Sequence, residues 1–177
     1  MKNLIFKTFS SLIIVAAFSL AMVSCGQSGQ SKALLKRQNE QKKLEAVERI
    51  SQICDKAEVN QGGIRSILEF SKKASANFET FVYLAEMANE FGYHTDAFVN
   101  IAKYASQAMV ETAYFKQLAD LSVMKLSETN KIEAIASDIS ELKRPTSPEI
   151  EKALQGLQAT ADFKTLDEAK AYNKSNK

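Results

Sequence analysis

Shifted against itself by 34 residues without gaps, the chain superposes its large apolar residues in threes. Val47, Phe81 and Phe115 coincide, as do Ile50, Leu84 and Leu118, then Ile53, Met87 and Leu121. Ile64, Phe98 and Ile132 follow, and after them Ile67, Ile101 and Ile135. Small residues keep the register (Ser51, Ala85, Ala119; Cys54, Ala88, Ser122), and so do turn formers (Gln61, Thr95, Thr129; Gly62, Asp96, Asn130). One unbroken helix cannot produce this pattern, because 34 residues at about 100° each end about 160° away, on its opposite face. The register predicts three helix–turn–helix hairpins of equal length, at about 45–76, 79–110 and 112–144.

Composition agrees. Only 6 Gly and 2 Pro occur in 177 residues, which leaves little punctuation for strands and hairpin turns. Strand-like alternation is nowhere sustained, so the expected fold class is all-α: antiparallel helical hairpins forming either a bundle or a short stack. Leu44, Val47, Ile50, Cys54 and Ala57 mark the apolar face of the first helix. That helix is expected to end near Val59-Asn60-Gln61-Gly62-Gly63, with the paired glycines supplying the turn. Thr95-Asp96 is a candidate cap. Ser147-Pro148-Glu149 is the strongest helix start in the chain, and Thr165 with Glu168 forms a capping box.

The first 24 residues stand apart from this body. Lys2 and Lys7 precede a twelve-residue apolar run, Leu12 to Val23, which is short of the roughly 20 residues a spanning helix needs. Residues 1–24 therefore read as a signal peptide. The run closes on Met22-Val23-Ser24-Cys25. There the chain resembles bacterial lipoproteins, whose signal peptides end in an aliphatic residue, two small residues and a cysteine. The resemblance implies lipidation of Cys25, cleavage before it, and attachment to the membrane through that lipid. Several acyl chains, each contributing about 0.8 kcal/mol per buried methylene, give stable anchoring. Gly26 stands where an Asp often signals inner-membrane retention, so the resemblance leans towards the outer membrane. The other reading is ordinary secretion with cleavage after Ala21, which would leave Cys25 free to pair with Cys54. If Cys25 carries lipid, Cys54 reads as a buried structural thiol.

Residues 25–43 are expected to form a flexible tether (25–31) and a basic stalk, with 44–177 as one helical domain. In the stalk, Lys32, Lys36, Arg37, Lys42 and Lys43 face one acid, Glu40. They read as a solvated helix or as a surface lying against anionic head groups.

The middle hairpin resembles the tetratricopeptide repeat family through Leu84, Ala85, Ala88, Gly92, Ala97 and Ile101, at that family's 34-residue period. The resemblance implies a short stack of hairpins; in a stack or an ordinary bundle alike, residues 147–176 are expected to cover the open end of the core.

Residues for chemistry are few. His94 is the single histidine, so a multi-histidine metal site is excluded, and it lies at an expected turn. No phosphate loop, nucleophile elbow or Cys-x-x-Cys occurs, and no cofactor is implied. Glu79, Glu86, Glu90 and Asp96 read as a solvated acidic face. A formal net charge of +2 gives no reason to expect nucleic acid. Both surplus charges belong to the signal peptide. Residues 25–78 are net basic and 79–143 net acidic.

Nine of the twelve aromatics after residue 24 lie between Phe78 and Phe115. Tyr83, Tyr93, Tyr104 and Tyr114 are the candidate binding residues, since tyrosine suits wet, adaptable contacts. The expectation is a non-enzymatic envelope lipoprotein whose helical body binds an envelope or extracellular protein. The alternative is a carrier holding a small apolar ligand among its aromatics.

Overall fold

A computed structural model describes residues 27–125 and 129–175. The expected signal peptide and Cys25 lie outside the described residues. Among the described residues eight α-helices follow in order: α1 (Gln27–Lys56), α2 (Gln61–Lys73), α3 (Phe78–Glu90), α4 (Thr95–Gln107), α5 (Tyr114–Met124), α6 (Thr129–Ser140), α7 (Pro148–Ala159) and α8 (Leu166–Ser175). One 3-10 turn, Gly92–His94, joins α3 to α4. No strand occurs among the described residues, and the fold is all-α.

The 34-residue register is visible in the helix ends themselves. α1, α3 and α5 stop at Lys56, Glu90 and Met124, and α2, α4 and α6 start at Gln61, Thr95 and Thr129. Within the first three hairpins each helix packs against its mate, α1 on α2, α3 on α4 and α5 on α6. α1 meets α3, α3 meets α5 and α5 meets α7, while α2 meets α4 and α4 meets α6. The hairpins are therefore stacked in two layers, with contacts running from neighbour to neighbour as in a short solenoid.

Burial follows the same register. Phe81, Phe98 and Phe115 are each 0% exposed, as are Ile50, Leu84 and Leu118. In the first hairpin Val47 and Ile53 are only half-buried. Their equivalents in the next two hairpins are covered on both sides, whereas the first hairpin closes one end of the stack. Cys54, 5% exposed, is a buried thiol in this core.

Three local expectations are corrected. The stretch 27–31, expected as flexible tether, is the start of α1, which continues unbroken for 30 residues. It is a helix about 45 Å long at 1.5 Å per residue. Lys, Gln, Leu and Ala are all good helix formers, so propensity carries α1 past the body even though every residue from Ser31 to Lys42 is exposed. Gly62 and Gly63 do not make the turn after α1. Asn60 does, with φ 62°, and the glycines lie inside α2. Gly63 is instead required by packing: a Cβ there would sit 2.0 Å from Cγ2 of Thr95, where α2 and α4 converge. Thr95 does not cap α4 either. Its hydroxyl donates backwards to the Gly92 carbonyl at 2.8 Å, and α4 has no side-chain cap.

The expected start of α7 holds. Ser147 Oγ accepts from the Ile150 N–H at 3.4 Å, with Pro148 at the first position and Glu149 and Glu151 in the first turn. The capping box of α8 is half formed: Thr165 Oγ1 accepts from the Glu168 N–H at 3.2 Å, while the Glu168 carboxylate takes the N–H of Lys164 rather than of Thr165.

Candidate functional site

The exposed side of the α1–α3–α5 layer is a polar face assembled from matching helix positions. Arg49 on α1 meets Glu79 at 3.1 Å and Glu86 at 3.6 Å on α3. Such half-exposed pairs contribute little to stability. Their effect is to fix where charge stands on the face. Next along the layer, the Tyr83 hydroxyl donates to Asp120 Oδ1 on α5, and Lys116 lies 5.8 Å above the Tyr83 ring. Burial, with the neighbouring acid Asp120, pushes the Tyr83 phenol well above its ordinary value. Burial also raises Asp120, against the pull of the Tyr83 hydroxyl and of Lys170.

Lys170 belongs to α8, which lies across this face. Rather than pairing with α7, α8 packs on α5. Lys170 bridges to Glu90 on α3 at 3.3 Å and stands 5.9 Å over the Phe91 ring. Ala169, 0% exposed, is the buried residue of α8. The approach of the chain to α8 is held by the end of α5, whose Met124 carbonyl accepts from the N–H groups of Asp162 and Phe163 at 3.0 and 3.1 Å.

Beside α8 opens a cleft of about 520 Å³ between the turns of the second and third hairpins. Tyr93, His94 and Asp96 line one side, Lys125 and Thr129 another, and Tyr172 and Asn173 of α8 the third. Tyr93 projects freely at 85% exposure. His94 is half-buried, and that burial holds its imidazole below the ordinary value, neutral at pH 7. Lys125 is buried and donates to the Thr160 carbonyl at 2.6 Å, placing a cation at the end of α7 where the helix dipole favours one. The Ser122 hydroxyl donates to the Ala119 carbonyl within α5. Among the described residues, no three His, Cys, Asp or Glu side chains are grouped to hold a metal ion. The cleft is thus a polar recess, with Asp96, His94, Thr129 and Asn173 in its lining and an aromatic rim. That lining suits a peptide surface with its own backbone hydrogen-bonding groups.

The four sequence-designated tyrosines do not share one surface. Tyr93 borders the cleft, and Tyr83 belongs to the polar face. Tyr104 lies on α4, where its hydroxyl donates to Glu133 on α6 at 3.2 Å. Tyr114, 5% exposed, is structural: its oxygen accepts from the Ser147 N–H at 2.9 Å and its proton goes to Glu151 at 2.8 Å. Sequence reasoning missed Asp120, Lys170 and Tyr172. Lys170 and Tyr172 stand in a segment whose 34-residue equivalents are no guide, because α8 leaves the hairpin order.

No family of known proteins, no curated protein and no solved structure matches this chain.

Proposed function

We propose that this protein is a lipid-anchored envelope lipoprotein of bacteria, attached through Cys25, whose hairpin stack is a protein-binding module. The single observation that carries the binding reading is the joined surface just described. An acidic, aromatic-edged face on α3 and α5 continues into a cleft of about 520 Å³, with Tyr93 projecting at its rim. The Met22-Val23-Ser24-Cys25 motif supports the anchor. α1 supports the presentation. Gln27 begins a helix only two residues after Cys25, and the residues from Ser31 to Lys42 are exposed along it, which suits a basic helical stem between the anchor and the body.

The test is done in cells of a bacterium that carries the protein. A fatty-acid label should appear on the wild-type chain and vanish in Cys25→Ala. Chemical crosslinking of intact cells should join the wild-type chain to a defined envelope or extracellular protein, and the mislocalised Cys25→Ala chain should lose that product. Absence of label overturns the anchor. Absence of any product above the level of an unrelated lipoprotein overturns the binding module.

A further inference from the structure

We propose that α8 is a built-in occupant of the binding face, a displaceable strap, and that the external partner enters as a short amphipathic helix of the same design: a small residue packed on α5, followed by a lysine directed at Glu90 and Asp120. This deepens the binding-module reading and rests on it.

Four observations converge. First, α8 is out of order: α1 packs on α2, α3 on α4 and α5 on α6, yet α8 packs on α5 rather than on α7. Second, its hold is slight. It buries one residue, Ala169, where α4 buries Phe98, Ile101, Ala102 and Ala105. It reaches the end of α3 through Lys170, which pairs with Glu90 at 33% and 44% side-chain exposure and stands over the Phe91 ring. Third, α8 is helical on its own terms. The Lys164 N–H donates to Glu168 at 2.8 Å, Glu168 in turn donates its N–H to Thr165, and the Phe163 and Tyr172 rings meet at 5.2 Å. Fourth, its seat is larger than α8. The cleft under Tyr172 and Asn173 opens at one end, and a second of about 430 Å³, between α5, α7 and Leu166, opens at the other.

The seat also states the partner's chemistry. Glu86 is matched by Arg49, while Glu90 and Asp120 face Lys170, so a cation is wanted at its position. Ala169 lies at 0% exposure against the stack, which leaves room for a small side chain only. A helix that supplies both features and extends into the two clefts would outcompete α8. An anchored module would then expose its face only to a partner able to displace the strap.

The test uses the full chain and a synthetic peptide of residues 163–177 carrying a fluorophore. In the variant Ala169→Asp/Lys170→Glu, α8 is expelled, and the peptide should bind saturably. Binding to the unaltered chain should be at least ten-fold weaker, because its own α8 competes at millimolar effective concentration. A peptide carrying Lys170→Glu should bind the variant at least five-fold less tightly than the unaltered peptide. No binding to a folded variant overturns the proposal. Should the variant fail to fold, hydrogen exchange of the unaltered chain decides. α8 amides should exchange at least a hundred-fold faster than those of α3 and α5, and equal protection overturns the proposal. The peptide reads the seat alone, so its failure leaves the crosslinking result standing, whereas failure of the crosslinking removes the module itself.

Discussion

Oδ1 of Asn77 accepts the backbone N–H of Thr112 at 2.9 Å, and through it the loop entering α3 is tied to the loop entering α5. The same side chain donates to the Val110 carbonyl at 3.0 Å. Thr112 passes the connection on, its hydroxyl donating to the Pro145 carbonyl at 2.8 Å, and Tyr114 receives the Ser147 N–H. Lys43 begins the series by donating to the Ala74 carbonyl at 3.0 Å. One end of the stack is therefore stitched loop to loop by side chains about one repeat apart. The apolar layers alone leave hairpins free to slide; these bonds set their offset.

Asn77 holds this position with φ 62° and 1% exposure. Asn77→Ala removes two hydrogen bonds, strands the Thr112 N–H and puts a Cβ-bearing residue without a compensating bond in the left-handed region. The expected loss is about 3 kcal/mol, measured by urea unfolding. Asn77→Gly should recover about 1 kcal/mol of it. Equal losses would show that the backbone conformation plays no part.

Gly62 and Gly63 should respond oppositely to one methyl group. A Cβ at Gly62 meets nothing within 4 Å. Gly62→Ala should stabilise by about 0.5–1 kcal/mol through helix propensity. At Gly63 the new Cβ meets the Thr95 methyl, which is held in place by the bond from its hydroxyl to Gly92. Gly63→Ala should destabilise by about 1–3 kcal/mol as an overpacking change. Adding Thr95→Ser, which deletes that methyl and keeps the hydroxyl, should restore most of it.

These glycines show what could be read from the sequence and what could not. The 34-residue register located all three hairpins because each apolar triplet reports a long-range fact, shared burial, repeated three times. Whether Gly63 is a turn or a close approach depends on Thr95, 32 residues away, and local pattern carries no record of it. The positive φ at Asn60 was hidden by the more conspicuous Gly62-Gly63 pair beside it. Tyr114 and Tyr93 look alike in sequence. Only packing shows that the first is a buried strut and the second a free rim residue. α8 was legible as a helix from Thr165 and Glu168, but its seat was not, since Lys170 finds Glu90 and Asp120 across three helices.

The two tyrosines separate stability from binding. Tyr114→Phe leaves the Ser147 N–H buried without its acceptor and should cost about 2 kcal/mol in thermal or urea unfolding, with the crosslinked product retained. Tyr93→Ala, at 85% exposure, should leave stability within about 0.5 kcal/mol and reduce that product.

His94 gives the fold a pH dependence of definite sign. Burial holds its folded-state imidazole below the ordinary 6.5. The unfolded chain therefore binds a proton more readily, and stability rises with pH in this window. His94 contributes its stabilisation fully above pH 6.5 and loses it as pH falls through the lower folded-state value. Urea midpoints taken between pH 7.5 and 5 should fall for the unaltered chain. His94→Gln should flatten the part of that fall that begins near pH 6.5, and an unchanged slope would place the titration elsewhere.

The proposed binding face lies beside α8 and would meet its protein partner at the membrane. A photo-crosslinking residue placed at Tyr93, in the full chain in living cells, tests it most directly, with the same residue at exposed Glu69 on α2 as the control. One discrete crosslinked protein is expected at position 93, little at position 69, and loss of the product in Cys25→Ala. Equal products at both positions, or none at position 93 in a chain that is folded and acylated, would contradict it.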